Sequence, residues 1–442
     1  MTAVAPDARL RRALGTGFGV AVGVGSMIGA GILRTPADVA AALPLPALFL
    51  IAWAAGGLYA LLGANALAEL GTMIPRSGGQ YVFVKRAMGP YAGFLVGWND
   101  WVSTCAAMTA VSLVVAGALG TLVPALAGAV PALAGLLLLT VTAFIWRGVR
   151  TSDRAQRATS ALKAVALLGL IAACVAGRLW ANAAPAATDV PLAVPHGGAL
   201  AAAFVVALQG IIYTYDGWSG VVYFSEEVRE PGREIPRALF GSVLSVIVLY
   251  LLLNAAFLFA LSIPALARSP LAAASAASLL FGAAGGRVVQ AFVVLALPSA
   301  VFANTLFASR VAFALARDGA APAALARVNA GGTPSAALAT SVAVAALFLL
   351  GTFERVIALC SFMFVATYAM SFASLFVLRR REPAAPRPFR AWGHPWTTGL
   401  ILVASLAFMA GTVAADRVTG LIAIGLVVAS WPIYRLLLRR AR

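Results

Sequence analysis

Twelve stretches of this chain stay apolar over the length of a membrane crossing, and that repetition constrains the fold more than any single motif. A helix needs about 20 apolar residues, rising ~1.5 Å each, to cross the ~30 Å hydrocarbon core of a bilayer. Divided at its charged and Pro- or Gly-rich breaks, the sequence gives such runs at 15–41, 44–71, 91–123, 128–147, 159–181, 199–225, 238–263, 286–316, 334–352, 355–379, 397–415 and 417–437. Only 11% of residues are charged and 62% are hydrophobic, whereas about a quarter are charged in soluble domains. The expectation is an all-α polytopic membrane protein with twelve transmembrane helices.

A net charge of +17 would point to nucleic acid in a soluble protein, so its distribution decides its meaning. With the N-terminus in the cytoplasm, Arg34, Arg178, Arg268, Arg287, Arg355 and Arg417 fall on the opposite side and Lys163 falls inside a span. The remaining Lys and Arg sit at cytoplasmic ends and loops, the positive-inside bias of a plasma-membrane protein with both termini cytoplasmic. No nucleic-acid partner is expected. The clusters Arg379, Arg380, Arg381 and Arg435, Arg439, Arg440 read as topology anchors, with anionic membrane lipids as secondary contacts. Cys105, Cys174 and Cys360 lie in apolar runs without metal-ligand spacing and read as small core residues. No small-residue cleavage site follows a short apolar core, so the first span is expected to remain in place.

Two spans are interrupted in the middle. The first carries "VGVGSMIGAGILRTP", with Gly23, Gly25, Gly29 and Gly31 where a helix tolerates them least, each costing roughly 1 kcal/mol against alanine. The sixth carries "LQGIIYTYDGWSGVVYFSEE", broken by Asp216, Gly217 and Gly220. Interrupted spans in matching positions of two five-span halves point to an inverted-repeat transporter with its site at the midplane. Five is odd, so the halves run in opposite directions. The resulting division is 1–14 cytoplasmic, 15–182 the first repeat, 199–379 the second, 397–437 two further helices and 438–442 cytoplasmic, with 182–198 an irregular connector.

A break near Gly25 to Gly31 leaves free N–H groups at Ala30, Gly31 and Ile32, with the positive end of the following half-helix, and unpaired carbonyls around Val22 to Ser26. The first set suits a carboxylate and the second an ammonium. An α-amino acid carries both. The competing reading is that the glycines only permit close helix packing, a spacing that Gly25 and Gly29 satisfy.

"GVGSMIGAGIL", "ELGTMIPRSGGQYVFVKRAMG", "YTYDGWSGVVYFSEEVREPGREIPRAL" and "ASRVAFALARDGAAPAALARVNAGGTP" together resemble the amino acid-polyamine-organocation superfamily, in its L-type, sodium-independent branch. The resemblance implies the fold of the sodium-coupled leucine transporter (LeuT), a 5+5 inverted repeat with discontinuous helices 1 and 6, working by alternating access. It implies substrate contacts from Ser26, Met27, Ile28, Gly29, Ala30 and Gly31, span-6 carbonyls from Tyr213, Thr214 and Tyr215, and a gating role for Tyr213. Lys163 matches a span-5 lysine whose ammonium replaces a sodium ion in sodium-independent members. An ionisable group inside a span is itself a functional candidate, the alternative being a lysine snorkelling to the surface. Asp216 has several readings: a hydrogen-bond acceptor, an attractor of cationic substrate, a proton carrier, or a cap of the broken helix.

Glu69, Asp100, Glu226 and Glu227 are expected near the cytoplasmic face, as gates or partners of its arginines, and Asn254 and Asn304 as interhelical hydrogen bonders. Trp218 reads as packing. His196 and His394 lie in loops, away from any proton path. No converging nucleophile, base or metal set marks an intramembrane enzyme, and no cofactor or metal is expected. The function expected is secondary active transport of amino acids, foremost neutral L-amino acids, without sodium, by exchange against a second amino acid or with a proton. The alternatives are a cationic amino acid or polyamine carrier and a membrane sensor that binds without transport. Nothing in the sequence speaks to oligomeric state.

Overall fold

The computed structural model describes residues 15–76, 78–146, 152–181, 192–329 and 333–441. The N-terminal segment 1–14, most of the connector 182–198 and the side chains of Arg439 and Arg440 lie outside the described residues. Among the described residues every regular element is helical. In chain order these are α1 (Thr16–Met27), α2 (Ala30–Ala42), α3 (Pro46–Met73), α4 (Gln80–Met88), α5 (Pro90–Leu122), α6 (Val130–Trp146), α7 (Ser152–Ala181), α8 (Gly197–Tyr215) and α9 (Pro231–Ala260). There follow α10 (Ile263–Ala267), α11 (Ala272–Ala296), α12 (Pro298–Arg317), α13 (Ser335–Leu347), α14 (Phe353–Arg381), α15 (Trp396–Ala415) and α16 (Arg417–Ala441).

Local chemistry explains many of the boundaries. Proline opens α3, α5, α9 and α12, where its missing N–H would be unsatisfied anyway. Gly89, at φ +94°, both ends α4 and starts α5, a left-handed position that glycine alone takes without strain. α11 and α12 together cover 46 residues, far too long for one crossing at ~1.5 Å per residue. Gly282, at φ +67°, breaks that run, shortly before residue 286 where the eighth apolar stretch begins.

By length and composition, ten helices among the described residues can cross a membrane, or eleven when α1 and α2, bent by 44°, count as one span. The remaining apolar run is short: α13 with its 3-10 extension covers Ser335–Leu350, ~24 Å of helix. Leu136, Val165, Val288, Leu295 and Leu350 are exposed on the outside, as lipid-facing side chains are and those of a soluble protein are not. α5 and α14 form the centre of the bundle, with 83% and 89% of their apolar windows buried, against 17% for α16 at the periphery.

α4 lies within the loop that follows the second span. It packs on α5 and α14, and Lys85 bonds Asp318 Oδ2 at 2.6 Å while Tyr81 donates to the same oxygen at 2.7 Å. Burial pushes the Asp318 carboxyl up, but those two hydrogen bonds and the charges of Lys85 and Arg317 outweigh it and hold the group below the ordinary carboxylate range. Glu69 is fully buried and paired with Arg379 (2.9 and 2.5 Å) and Arg387 (3.1 Å), and it accepts from the Ala391 N–H at 2.7 Å. Glu69 is therefore a partner of arginine, as expected. Asn254 is not interhelical: its side-chain N–H donates to Tyr250 O of its own helix at 2.8 Å.

Candidate functional site

The two interrupted spans meet. α1 ends at Met27 and α2 starts at Ala30, with Ile28 and Gly29 non-helical between them. α8 ends at Tyr215, and the chain resumes as a 3-10 helix over Trp218–Glu227 after Gly217 at φ +102°. A Cβ at Gly217 would sit 2.7 Å from Ser26 Cβ, and one at Gly31 would sit 2.9 Å from Thr214 Cα. These glycines let the broken ends touch main chain to side chain. The hydroxyl of Tyr250 on α9 then donates to Met27 O at 2.6 Å and lies 3.3 Å from Thr214 O. One buried side chain thus joins the carbonyls left free at both breaks, as buried backbone in lipid demands.

A cavity with about 810 Å³ of empty space, counting what is open to solvent, lies against this junction. Eight of the ten expected contact residues line it: Ser26, Met27, Gly29, Ala30, Gly31, Tyr213, Thr214 and Asp216. Ile28 and Tyr215 do not. Ile28 is buried in the core, and Tyr215 turns toward Trp53 (6.1 Å) and Tyr250 (5.1 Å). The glycines of span 1 divide between the two readings. Gly23 and Gly31 are packing positions, where a Cβ would lie 2.5 Å from Ser242 Oγ and Thr214 Oγ1 respectively. Gly29 faces open space, with only Met27 O at 3.8 Å.

Asp216 accepts from the Tyr368 hydroxyl, and Trp218 packs on the Tyr368 ring at 4.8 Å. Tyr213 meets Phe353 edge-on at 6.3 Å, and the Arg34 guanidinium covers Phe353 at 4.4 Å while pairing with Glu354. An aromatic and ionic stack therefore runs from the cavity-lining Tyr213 through Phe353 to Arg34 and Glu354. Lys163 is buried at 3% exposure but does not line the cavity. Its helix packs on α1, and Ser160, one turn earlier, donates to Ala21 O at 3.0 Å.

Asp100 is the main correction. It lies about 15 Å into α5 from Pro90 at ~1.5 Å per residue, and it lines the cavity instead of an arginine-rich face. Both of its oxygens accept from the Tyr223 hydroxyl, at 2.7 and 2.8 Å. Asp100, Thr104, Ala107 and Val111 all line the cavity, and their spacing of four, three and four is one helical stripe. Gln80, Tyr223, Asn304, Thr367 and Tyr368 also line it.

The amino acid permease family model matches residues 19–434. The chain belongs to the amino acid permease family. Among related proteins, the permease is 27% identical to the serine/threonine exchanger SteT of Bacillus subtilis over 445 residues, covering 97% of each chain. It is 30% identical over 394 residues to the human large neutral amino acids transporter small subunit 2, covering 86% of this chain and 72% of that one. An uncharacterized transporter of Mycobacterium tuberculosis is 32% identical over 446 residues, covering 99% and 94%. These relatives place the permease in the amino acid-polyamine-organocation superfamily and make it an integral, multi-pass membrane protein.

Proposed function

We propose that the permease is a sodium-independent secondary active transporter of amino acids, foremost neutral L-amino acids, that works by alternating access with exchange or a proton as the coupled step. It is not an enzyme on this reading. The observation that carries it is the junction of two broken helices around one cavity, joined through Tyr250. The free N–H groups at the start of α2 would take the substrate carboxylate, and the carbonyls at the end of α1 its ammonium. Tyr213 would gate the cavity beneath Phe353.

In this reading the permease follows the twelve-span plan, with inverted repeats over 15–182 and 199–379, helices 11 and 12 over 397–437, and both termini in the cytoplasm of a plasma-membrane protein. α13 counts as a short ninth span, a mismatch that local bilayer thinning accommodates. Spans 1 and 5 then run parallel, which sets Lys163 about 4.5 Å further along than Ser160, level with Val24 and Gly25. There its ammonium would stand in for a sodium ion beside the broken end. No carboxylate among the described residues forms an ion pair with it.

The relatives' names support neutral substrates: one is a serine/threonine exchanger and another a large neutral amino acids transporter subunit. A cationic substrate gains support from the second cavity carboxylate, Asp100. Uptake of labelled L-serine, L-leucine and L-lysine into liposomes holding the purified chain tests the proposal, with and without internal amino acid, a sodium gradient or a pH gradient. Sodium-independent uptake that depends on internal substrate or pH is the expected result. Strict sodium dependence would refute the role of Lys163, and binding without uptake would make the chain a sensor.

A further inference from the structure

One face of α9 changes character along its length. Arg233, Arg237, Phe240, Leu244 and Val248 follow each other at helical spacing, which puts them on one side. The two arginines are exposed, and Leu244 and Val248 are 48% and 56% exposed. A second segment reaches the same place. Trp392, in the loop after α14, stacks on Phe240 at 4.6 Å with 11° between the rings, and Phe389 packs on Phe240 at 5.8 Å. Main-chain bonds fix this loop on α3: the Trp392 N–H donates to Asn65 Oδ1 and Trp392 O accepts from Asn65 Nδ2, both at 2.9 Å, while the Ala391 N–H donates to buried Glu69. Arg390, between Phe389 and Ala391, is exposed. Trp392 and Trp396 remain 63% and 83% exposed despite the anchoring.

Among the described residues no ion pair holds Arg233, Arg237 or Arg390. Acids close to them are engaged: Glu382 pairs with Arg86, Glu69 with Arg379 and Arg387, and Glu234 accepts from the Glu230 N–H. Two arginines of the cluster expected to meet anionic lipid are also committed, Arg379 to Glu69 and Arg381 to Ala87 O. A guanidinium takes a phosphate group through paired N–H donors, and indoles settle at the headgroup level of a bilayer. Basic groups that lead into an apolar, outward-facing stripe therefore match a molecule with an anionic head and an alkyl tail.

We propose that Arg237 and Arg390, flanked by Arg233, Trp392 and Trp396, form a binding site for an acidic phospholipid. Its phosphate lies on the arginines and its acyl chains run along Leu244 and Val248. Such a lipid bridges α9 and the loop after α14, both of which already pack on α3. None of these residues lines the cavity, so the site is separate from the substrate's.

The test is thermal stabilisation of the purified full-length chain in detergent, titrated with phosphatidylglycerol, phosphatidylcholine or inorganic phosphate at constant ionic strength. Phosphatidylglycerol should bind about tenfold or more tightly than phosphatidylcholine, and inorganic phosphate should not reproduce the effect. An arginine at a membrane surface contributes about fivefold to affinity for an anionic head, so Arg237→Gln with Arg390→Gln should remove the preference. Arg327→Gln with Arg435→Gln takes away the same charge elsewhere and should leave it. Equal stabilisation by the two lipids in the native chain overturns the site without recourse to a variant. Equal losses in the two double variants overturn it too, because the preference would then follow overall charge. Stabilisation by inorganic phosphate alone would refute the lipid as occupant.

Discussion

Tyr250→Phe removes one oxygen and little else. The ring stays to pack on Tyr215 at 5.1 Å and edge-on to Trp53 at 6.1 Å, so the change isolates the hydroxyl that bonds Met27 O at 2.6 Å and approaches Thr214 O at 3.3 Å. The site is fully buried, and leaving a buried acceptor without a donor costs about 1–3 kcal/mol. The shorter contact to Met27 should account for most of it. Part of this cost should appear as lost stability and part as lost preorganisation of the two broken ends. If all of it fell on binding, affinity would drop between about fivefold and about 150-fold, since 1.4 kcal/mol is a factor of ten. The assay pairs thermal unfolding of the purified variant with the concentration dependence of L-serine uptake. The expected result is a lower melting temperature together with weaker substrate affinity. A variant that matches the native chain in both would show that the hydroxyl does not hold the breaks together.

Three further outcomes follow from the geometry. Lys163→Ala should insert and fold yet lose most transport in the liposome assay, and native uptake by this variant would end its role as an ion substitute. Gly217→Ala puts a Cβ 2.7 Å from Ser26 Cβ at φ +102°, so roughly 1–2 kcal/mol of left-handed strain adds to a clash; a melting temperature unchanged by this substitution would contradict the close approach. The Asp318 and Glu382 carboxyls are both held low, Glu382 first by its hydrogen bond from Arg86 and Asp318 by Lys85 and Tyr81 against its burial. A depressed carboxyl stabilises the fold above its unfolded pKa of about 4. That contribution is lost as pH falls through the lower folded value, so melting curves should show an acid-side decline that Lys85→Met reduces.

The crossings were legible because apolar length is a one-dimensional property. Each apolar run meets a helix, and the breaks at Gly29 and Gly217 stand where glycine and aspartate interrupt a membrane-length run. Residues whose role depends on which helices become neighbours were not legible. Asp100 in "GWNDW" has the composition of a helix end, yet α5 begins at Pro90 and carries it inward to face Tyr223. Tyr250 sits in the plain apolar run "VLYLLLNAAF", where only the approach of α1 and α8 gives its hydroxyl two carbonyls. Its helical neighbour Asn254 has the amide that suggests interhelical bonding, but bonds inside its own helix. α4 is hidden in the sequence for another reason: nine residues with Lys85 and Arg86 are too short and too charged to form a membrane-length apolar run. The four-three-four spacing of Asp100, Thr104, Ala107 and Val111 becomes informative only once the cavity shows which face of α5 lines it.

Both ends of α14 are tied to the bundle, and the two ties are unequal. Glu354 near its start pairs with Arg34 of α2, with side chains 54% and 32% exposed. Arg379 lies 25 residues later, about 37 Å along the helix at ~1.5 Å per residue, and pairs with Glu69 of α3, whose side chain is fully buried. The exposed pair is worth about 1 kcal/mol at most and is screened by salt. Removing one partner of the buried pair costs about 3–5 kcal/mol, because Arg379 and Arg387 would lose the carboxylate that holds them. The Arg34–Glu354 end of α14 is therefore held by the weaker electrostatic tie. Glu354→Gln should shift the denaturant midpoint slightly, and less still at high ionic strength. Glu69→Gln should lower it several-fold more, with little response to salt, even though the amide oxygen can still accept from Ala391. Equal shifts for the two variants, or a salt-sensitive Glu69→Gln, would show that burial does not separate the two ties.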